Sequence, residues 1–136
     1  MSIEYLSPDG LHRNPAYSQV VVIKGKVHTV YVGGQNAIDA FGNIVGKGDI
    51  GQQTEWALRN VEIALSAAGA RLENVVKWTV YVVQGQPLQR GFEVYQRVWG
   101  NRPNPPIVTV LIVAGLANPE FLVEIEAVAV VPESDG

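Results

Sequence analysis

The chain contains no cysteine, and that absence removes disulfides, thiolate metal sites and cysteine nucleophiles together. Histidine is almost missing as well. His12 and His28 are the only two, and they are too far apart to form a ligand motif. His12 falls in a polar N-terminal stretch and His28 alternates with Val27 and Thr29, so both read as structural or solvated residues. No metal or other cofactor is expected. No apolar run approaches the ~20 residues of a bilayer span, and Met1-Ser2-Ile3-Glu4-Tyr5 lacks the basic-then-apolar order of a secretion signal. Positive charge is sparse. Lys and Arg total 10 against 13 acidic residues, a net charge of −3, and the basic residues stand singly rather than in a stripe that could follow a nucleic-acid backbone. The expectation is a soluble cytoplasmic protein with no nucleic-acid or membrane partner.

What the chain does have is aliphatic residues in strand and helix patterns. Its 136 residues, 47% of them hydrophobic, suit one domain with a substantial core. Ser18 to Ile23 and Val27 to Val32 are β-branched and aromatic runs separated by Lys24-Gly25-Lys26, which reads as a hairpin. Gly33-Gly34-Gln35 marks a place where the backbone turns sharply or comes close to something. Asp49 is an N-cap candidate with Gln52 three residues on. Ala57, Leu58, Val61, Ala64, Leu65 and Ala68 follow at helical spacing, and Gly69 is the stop. Val75 to Val83 is a strand. Pro87 opens a second helix whose face is Leu88, Phe92, Tyr95, Val98 and Trp99, closed by Gly100. Ile107 to Val113 is another strand, and the tail 132–136 reads as frayed.

The last strand pattern, Phe121 to Val131, carries the sharpest signal. Side chains alternate along a strand, so Glu124 and Glu126 point the same way as Leu122, Val128 and Val130. Two carboxylates in an aliphatic row require a cation, water or a cleft.

The order is β-β-α-β-α-β-β, an α+β domain with a mixed sheet of five or six strands and two helices on one face. The strands are apolar on both faces, and there is no third helix to cover the second one. Burying that face against copies of the chain is the economical solution.

Read as an ordered set, the chain resembles the Rid (YjgF) family from about Pro15 to Val131. The marks are Pro15-Ala16-Tyr17-Ser18-Gln19, Val32-Gly33-Gly34-Gln35, and Gln53-Thr54 followed by Ala57-Leu58-Arg59-Asn60. Further along come Ala67-Ala68-Gly69-Ala70, Val75-Val76-Lys77-Trp78-Thr79-Val80-Tyr81, Glu93-Val94-Tyr95 and Glu124-Ile125-Glu126-Ala127-Val128-Ala129. The resemblance implies a chorismate-mutase-like fold assembled as a homotrimer, with small-molecule clefts between subunits. It also implies hydrolysis of reactive enamines and imines to a keto compound and ammonia.

Carried over by position, the resemblance makes Glu124 the catalytic acid-base group. Tyr17 and the Gly33-Gly34 turn are placed at the cleft, with Phe92, Ile107 and Val108 as further substrate-binding positions. Three of these depart from the family pattern. Ile107 stands where an arginine holds the substrate carboxylate, Phe92 replaces an asparagine, and Gly33 replaces a serine. A guanidinium fork contributes on the order of 1.5–3 kcal/mol per charge-assisted bond to a carboxylate, and isoleucine contributes none. The cleft therefore suits a less charged ligand than the usual 2-imino acid.

Plainer readings stand beside these. Glu124 also reads as a strand carboxylate paired or solvated at an edge, Glu126 as an ion-paired structural residue, and Tyr17 as an apolar plug with a wet hydroxyl. Arg102, on a proline-flanked loop, is the one guanidinium that could swing towards Ile107. A non-catalytic ligand-binding trimer is the alternative to a hydrolase. A ribonuclease or translation inhibitor is disfavoured by the missing basic stripe and histidine pair.

Overall fold

Two short strands open the chain and pair with each other. β1 (Ser2–Leu6) runs antiparallel to β2 (Val20–Lys24), with Tyr5 opposite Val21. This computed structural model describes residues 1–133. The hairpin expected across Lys24-Gly25-Lys26 does not form. β3 (Val27–Gln35) leaves β2 and enters a different sheet. The corner is Gly25, at φ +97°, where a Cβ would lie 2.9 Å from the backbone of Met1. Only glycine suits both conditions. Ser2-Ile3-Glu4-Tyr5-Leu6 alternates as a strand should, and it supplies the partner that β3 was expected to be.

The main sheet has four strands in the order β3-β6-β4-β5, where β4 is Val75–Val83, β5 is Ile107–Val113 and β6 is Val123–Pro132. β6 is antiparallel to both neighbours, and β4 and β5 are parallel. The element order is thus β-β-β-α-β-α-β-β, with four and two strands rather than one sheet of five or six. Pro132 still pairs with Val27, and the Glu133 N–H donates to Lys26 O at 3.2 Å, so the expected fraying does not begin at residue 132. Residues 134–136 lie outside the described residues.

α1 (Ile50–Ala67) begins where Asp49 Oδ1 accepts the Gln52 N–H at 3.1 Å. It ends at Gly69, φ +75°, with the Gly69 and Ala70 N–H groups returned to Ser66 O and Leu65 O. α2 (Leu88–Trp99) starts after Pro87 and stops at Gly100, φ +65°. α1 lies over β6 and β3 and packs beside α2. Leu58, Val61 and Leu65 meet Trp78, Ile125, Ala127 and Ala129 in the core.

One residue changes face. Val75 pairs with Ala129 but Lys77 pairs with Val128, so Val76 is an extra residue. The bulge sends Val75 into the core beside Trp78, not to the side of Thr79 and Tyr81 as strict alternation implies. From there Trp78, Val80 and Val82 point at the helices, while Lys77, Thr79 and Tyr81 share the helix-free face with Glu124 and Glu126. Among the described residues no helix covers that face, and although Val130 is buried at one end of it, its Tyr31 is 78% exposed.

Candidate functional site

On the helix-free face the two glutamates of β6 have different surroundings. Glu126 is opposite Thr79, and its Oε1 accepts the Tyr81 hydroxyl at 2.9 Å. The hydrogen bond to Glu126 pushes the Tyr81 phenol above its ordinary pKa, because ionisation would remove the donor and place a phenolate beside a carboxylate. Glu124 is opposite Tyr81, and it has neither an ion pair nor a side-chain hydrogen bond among the described residues.

What Glu124 does have is Gly34. Between Val32↔Ala127 and Gln35↔Ile125 the β3 strand carries one residue more than β6, a bulge formed at Gly33-Gly34. A Cβ on Gly34 would sit 2.5 Å from Glu124 Oε2 and 2.7 Å from its carboxyl carbon. Gly34 does not adopt a left-handed φ, so close approach is what requires glycine here. A Cβ on Gly33 would meet nothing within 4 Å. Gly33 borders a shallow polar depression with Tyr31, Lys77, Thr79 and Glu126.

Tyr17, Phe92 and Val108 come together elsewhere, in the wall of a cavity of about 670 Å³ between α2 and the β4–β5 side of the sheet. Its floor is Trp78, Val80, Val82, Val123 and Ile125, and Leu88 and Val110 stand at its rim. Tyr17 is fixed there because its neighbour Ser18 docks on the loop before β5: the hydroxyl donates to Pro105 O at 2.7 Å and the N–H to Pro106 O at 3.1 Å.

Ile107 lines neither concavity. It pairs in register with Lys77 at the start of β5, on the helix-free face. Arg102 is committed away from it, donating to Val98 O and Trp99 O and pairing with Glu73. This pairing lowers the Glu73 pKa. Among the described residues, no group of three or more His, Cys, Asp or Glu is arranged to hold a metal, and no helix is long and apolar enough to cross a membrane.

Residues 10–131 match the family described as Endoribonuclease L-PSP. The chain belongs to that family, the Rid or RutC proteins. A RutC family protein of Pyrococcus abyssi is 34% identical over 113 residues, 83% of this chain and 84% of that one. The human 2-iminobutanoate/2-iminopropanoate deaminase is 32% identical over 114 residues, 84% of this chain and 79% of that enzyme. Among solved structures, YyfB of Yersinia pestis, from the conserved Rid protein family, superposes with a TM-score of 0.82 at 30% identity, covering 96% of this chain and all of that one.

As a Rid protein the chain divides its expected site residues between two places. Gly34 and Glu124 are on the β3–β6 side of the sheet and its helix-free face. Tyr17, Phe92 and Val108 are on the β5 side and the helix face. Two residues not singled out in the sequence also matter. Tyr81 holds Glu126, and its signal is a hydroxyl-bearing aromatic in a strand adjoining one with two acids. Gln53, fully buried on α1, donates to Gly46 O and Glu120 O and accepts the Leu122 N–H. It ties the loop before α1 to the start of β6, and a buried amide on a helix face requires such partners.

Proposed function

We propose that this Rid protein binds, and hydrolyses to a carbonyl compound and ammonia, a reactive imine or enamine that lacks the usual carboxylate, in clefts between the subunits of a homotrimer. The observation that carries the reading is the Gly34–Glu124 approach. A half-buried carboxylate with no ion pair among the described residues is held against the backbone, while the other acid on that face is engaged by Tyr81.

The two halves of the site support an intersubunit cleft. β3 and β5 are the two edges of the sheet, about 14 Å apart at the usual strand spacing, and the residue sets face opposite sides. One chain cannot close them around a ligand. A second copy, presenting its β5 edge and cavity mouth to the first copy's β3 edge, does so. Such a head-to-tail contact closes into a ring, and three copies suffice. The uncovered face with Tyr31, Leu111 and Val128 is the surface that the ring buries.

In the cleft, Glu124 takes a proton from water as its oxygen attacks the C=N carbon. Glu124 passes that proton to the nitrogen to give a carbinolamine, then takes the proton of the new hydroxyl and hands it to the amine, so that the C–N bond breaks and ammonia leaves as C=O forms. Ile107 supplies no counter-charge, which favours uncharged substrates. A binding trimer without chemistry is the second reading, favoured by that same missing arginine.

The test is turnover of the imine released in situ from 1-phenylethylamine by an amine oxidase, beside 2-iminopropanoate released from alanine. Accelerated ketone formation from the first, lost in Glu124→Gln, is the expected result. Binding without acceleration by the wild type assigns the second reading.

A further inference from the structure

Phe41 is 90% exposed, more than any other large apolar side chain among the described residues. Single exposed apolar residues are ordinary, but this one stands at the tip of a loop built to hold it. The Asp39 carboxylate accepts the N–H groups of Phe41 and Asn43, both at 2.9 Å, and Gly42 turns the chain at φ +84°. Ile38 pairs with Ile44 at the base of the loop. Asn60 on α1 donates to Asn36 O and Ile38 O, at 2.9 Å each. Ordering this loop loses backbone freedom, and within its own chain the phenyl ring gains almost no burial in return.

The loop lies on one edge of the molecule and the cavity under α2 opens on the other. Gly51 and Asn60 are nine residues, about two and a half turns, apart on α1, so they are on opposite flanks of it. Gly51 meets Arg90 of α2, and Asn60 meets the loop that follows β3. Phe41 is therefore on the β3 side, and it does not line the cavity of its own chain. At the β5 side, Leu88, Phe92 and Val110 are exposed at the cavity rim. None of the residues lining that cavity is charged, so its mouth offers an apolar side chain no competing ion to desolvate.

We propose that Phe41 of one copy enters the mouth of the α2 cavity of the next, against the neighbour's Leu88, Phe92 and Val110, and forms an apolar wall of the composite cleft. The proposal rests on the head-to-tail assembly given above and not on the hydrolysis. Knob and hole are on opposite edges of each chain, so every copy in a closed trimer both gives and receives one phenyl ring. Phe41 then reaches the cleft from the same copy as Glu124. A space of about 670 Å³ is more than one phenyl ring fills, which leaves room beside it for a small imine.

The lack of native cysteine makes the test direct. Phe41→Cys and Leu88→Cys are combined in one chain and treated with a short bis-maleimide, and the products are separated under denaturing conditions. A covalent trimer is expected from the double variant, and neither single variant should be joined. By sedimentation, Phe41→Ala should raise the trimer's dissociation constant at least about tenfold, with Phe41→Leu within a few-fold of the wild type. A protein that sediments as a trimer but gives no cross-link between chains, or assembles equally well with alanine, overturns the insertion and leaves the trimer standing. Joining of Phe41→Cys alone into dimers shows a symmetric contact and overturns it too. A monomeric wild type removes both the insertion and the ring. Absence of imine turnover in a trimer that does cross-link counts against the hydrolysis alone.

Discussion

Gly34 and Glu124 occupy adjoining space: a Cβ on the first would stand 2.5 Å from Oε2 of the second. Gly34→Ala must therefore displace the carboxylate. The clashing atoms are the far end of a flexible side chain, so the expected result is a normally folded protein, with melting temperature lowered by only a few degrees, whose imine turnover falls at least about tenfold. Thermal unfolding and turnover of the same preparation check both parts.

The two glutamates should separate cleanly. Glu124→Gln is expected to remove turnover and leave stability and assembly unchanged. Glu126→Gln keeps an acceptor for the Tyr81 hydroxyl but loses its charge, so a small loss of stability should follow, with turnover affected less. Urea unfolding and kinetics of the two variants decide the assignment. The reverse pattern would make Glu126 the working acid.

The bulges explain why some of this geometry was legible in the sequence and some was not. The cap at Asp49, the stop at Gly69, the extents of β4 and β5, and the facing of Glu124 with Glu126 follow from local chemistry, and the structure has each of them. Val75 is on the opposite face from the one alternation gives, because the extra Val76 is set by pairing with a strand far away in sequence. A glycine between two strand patterns implies a β2–β3 hairpin, but a pattern does not name its partner, and the N-terminal strand pairs with β2 instead. Gly33-Gly34 signalled close approach without saying to what. The cavity under α2 joins Ala16 to Ile125, a conjunction that no local pattern carries.

A trimer is expected in solution, and sedimentation equilibrium at micromolar concentration checks it. Val130 is 1% exposed within a single chain, so a charge there would disrupt the fold rather than the assembly. Tyr31→Asp and Leu111→Asp are the informative variants, because both residues are exposed on the helix-free face. Each should dissociate the trimer while keeping the secondary structure. A wild-type monomer would contradict the account of that face.

Little acceleration is expected with 2-iminopropanoate, since Ile107, at the position proposed to meet the substrate carboxylate, offers no counter-charge and Arg102 is engaged by Glu73 and the end of α2. Ile107→Arg should raise this activity and leave the uncarboxylated imine less favoured. Ready turnover by the wild type would point to Lys77, the cation paired in register with Ile107.

Stability should fall in strong base. Burial pushes the Tyr95 phenol up to about 12. The Trp78 indole beside the hydroxyl works in the opposite direction, and burial outweighs it. Because the folded pKa exceeds the unfolded one, the unfolded chain releases this proton first. The contribution is intact below about pH 10 and is lost between about pH 10 and 12, to the extent of roughly 2–3 kcal/mol. Urea unfolding across that window should show the decline, and Tyr95→Phe should flatten it.

Mixed assemblies test the two-copy cleft most directly. Glu124→Gln spoils one half of the site, and Val108→Arg, which puts a charge into the cavity wall, spoils the other. Each variant alone should form inactive trimers. Unfolded together in equal amounts and refolded, they should recover about a quarter of wild-type turnover of the 1-phenylethylamine-derived imine, because that share of clefts in a ring draws an intact half from each neighbour. Trimers that refold and mix but recover nothing, when the wild type is active, would place Glu124 and the cavity in one subunit's own site and contradict the account.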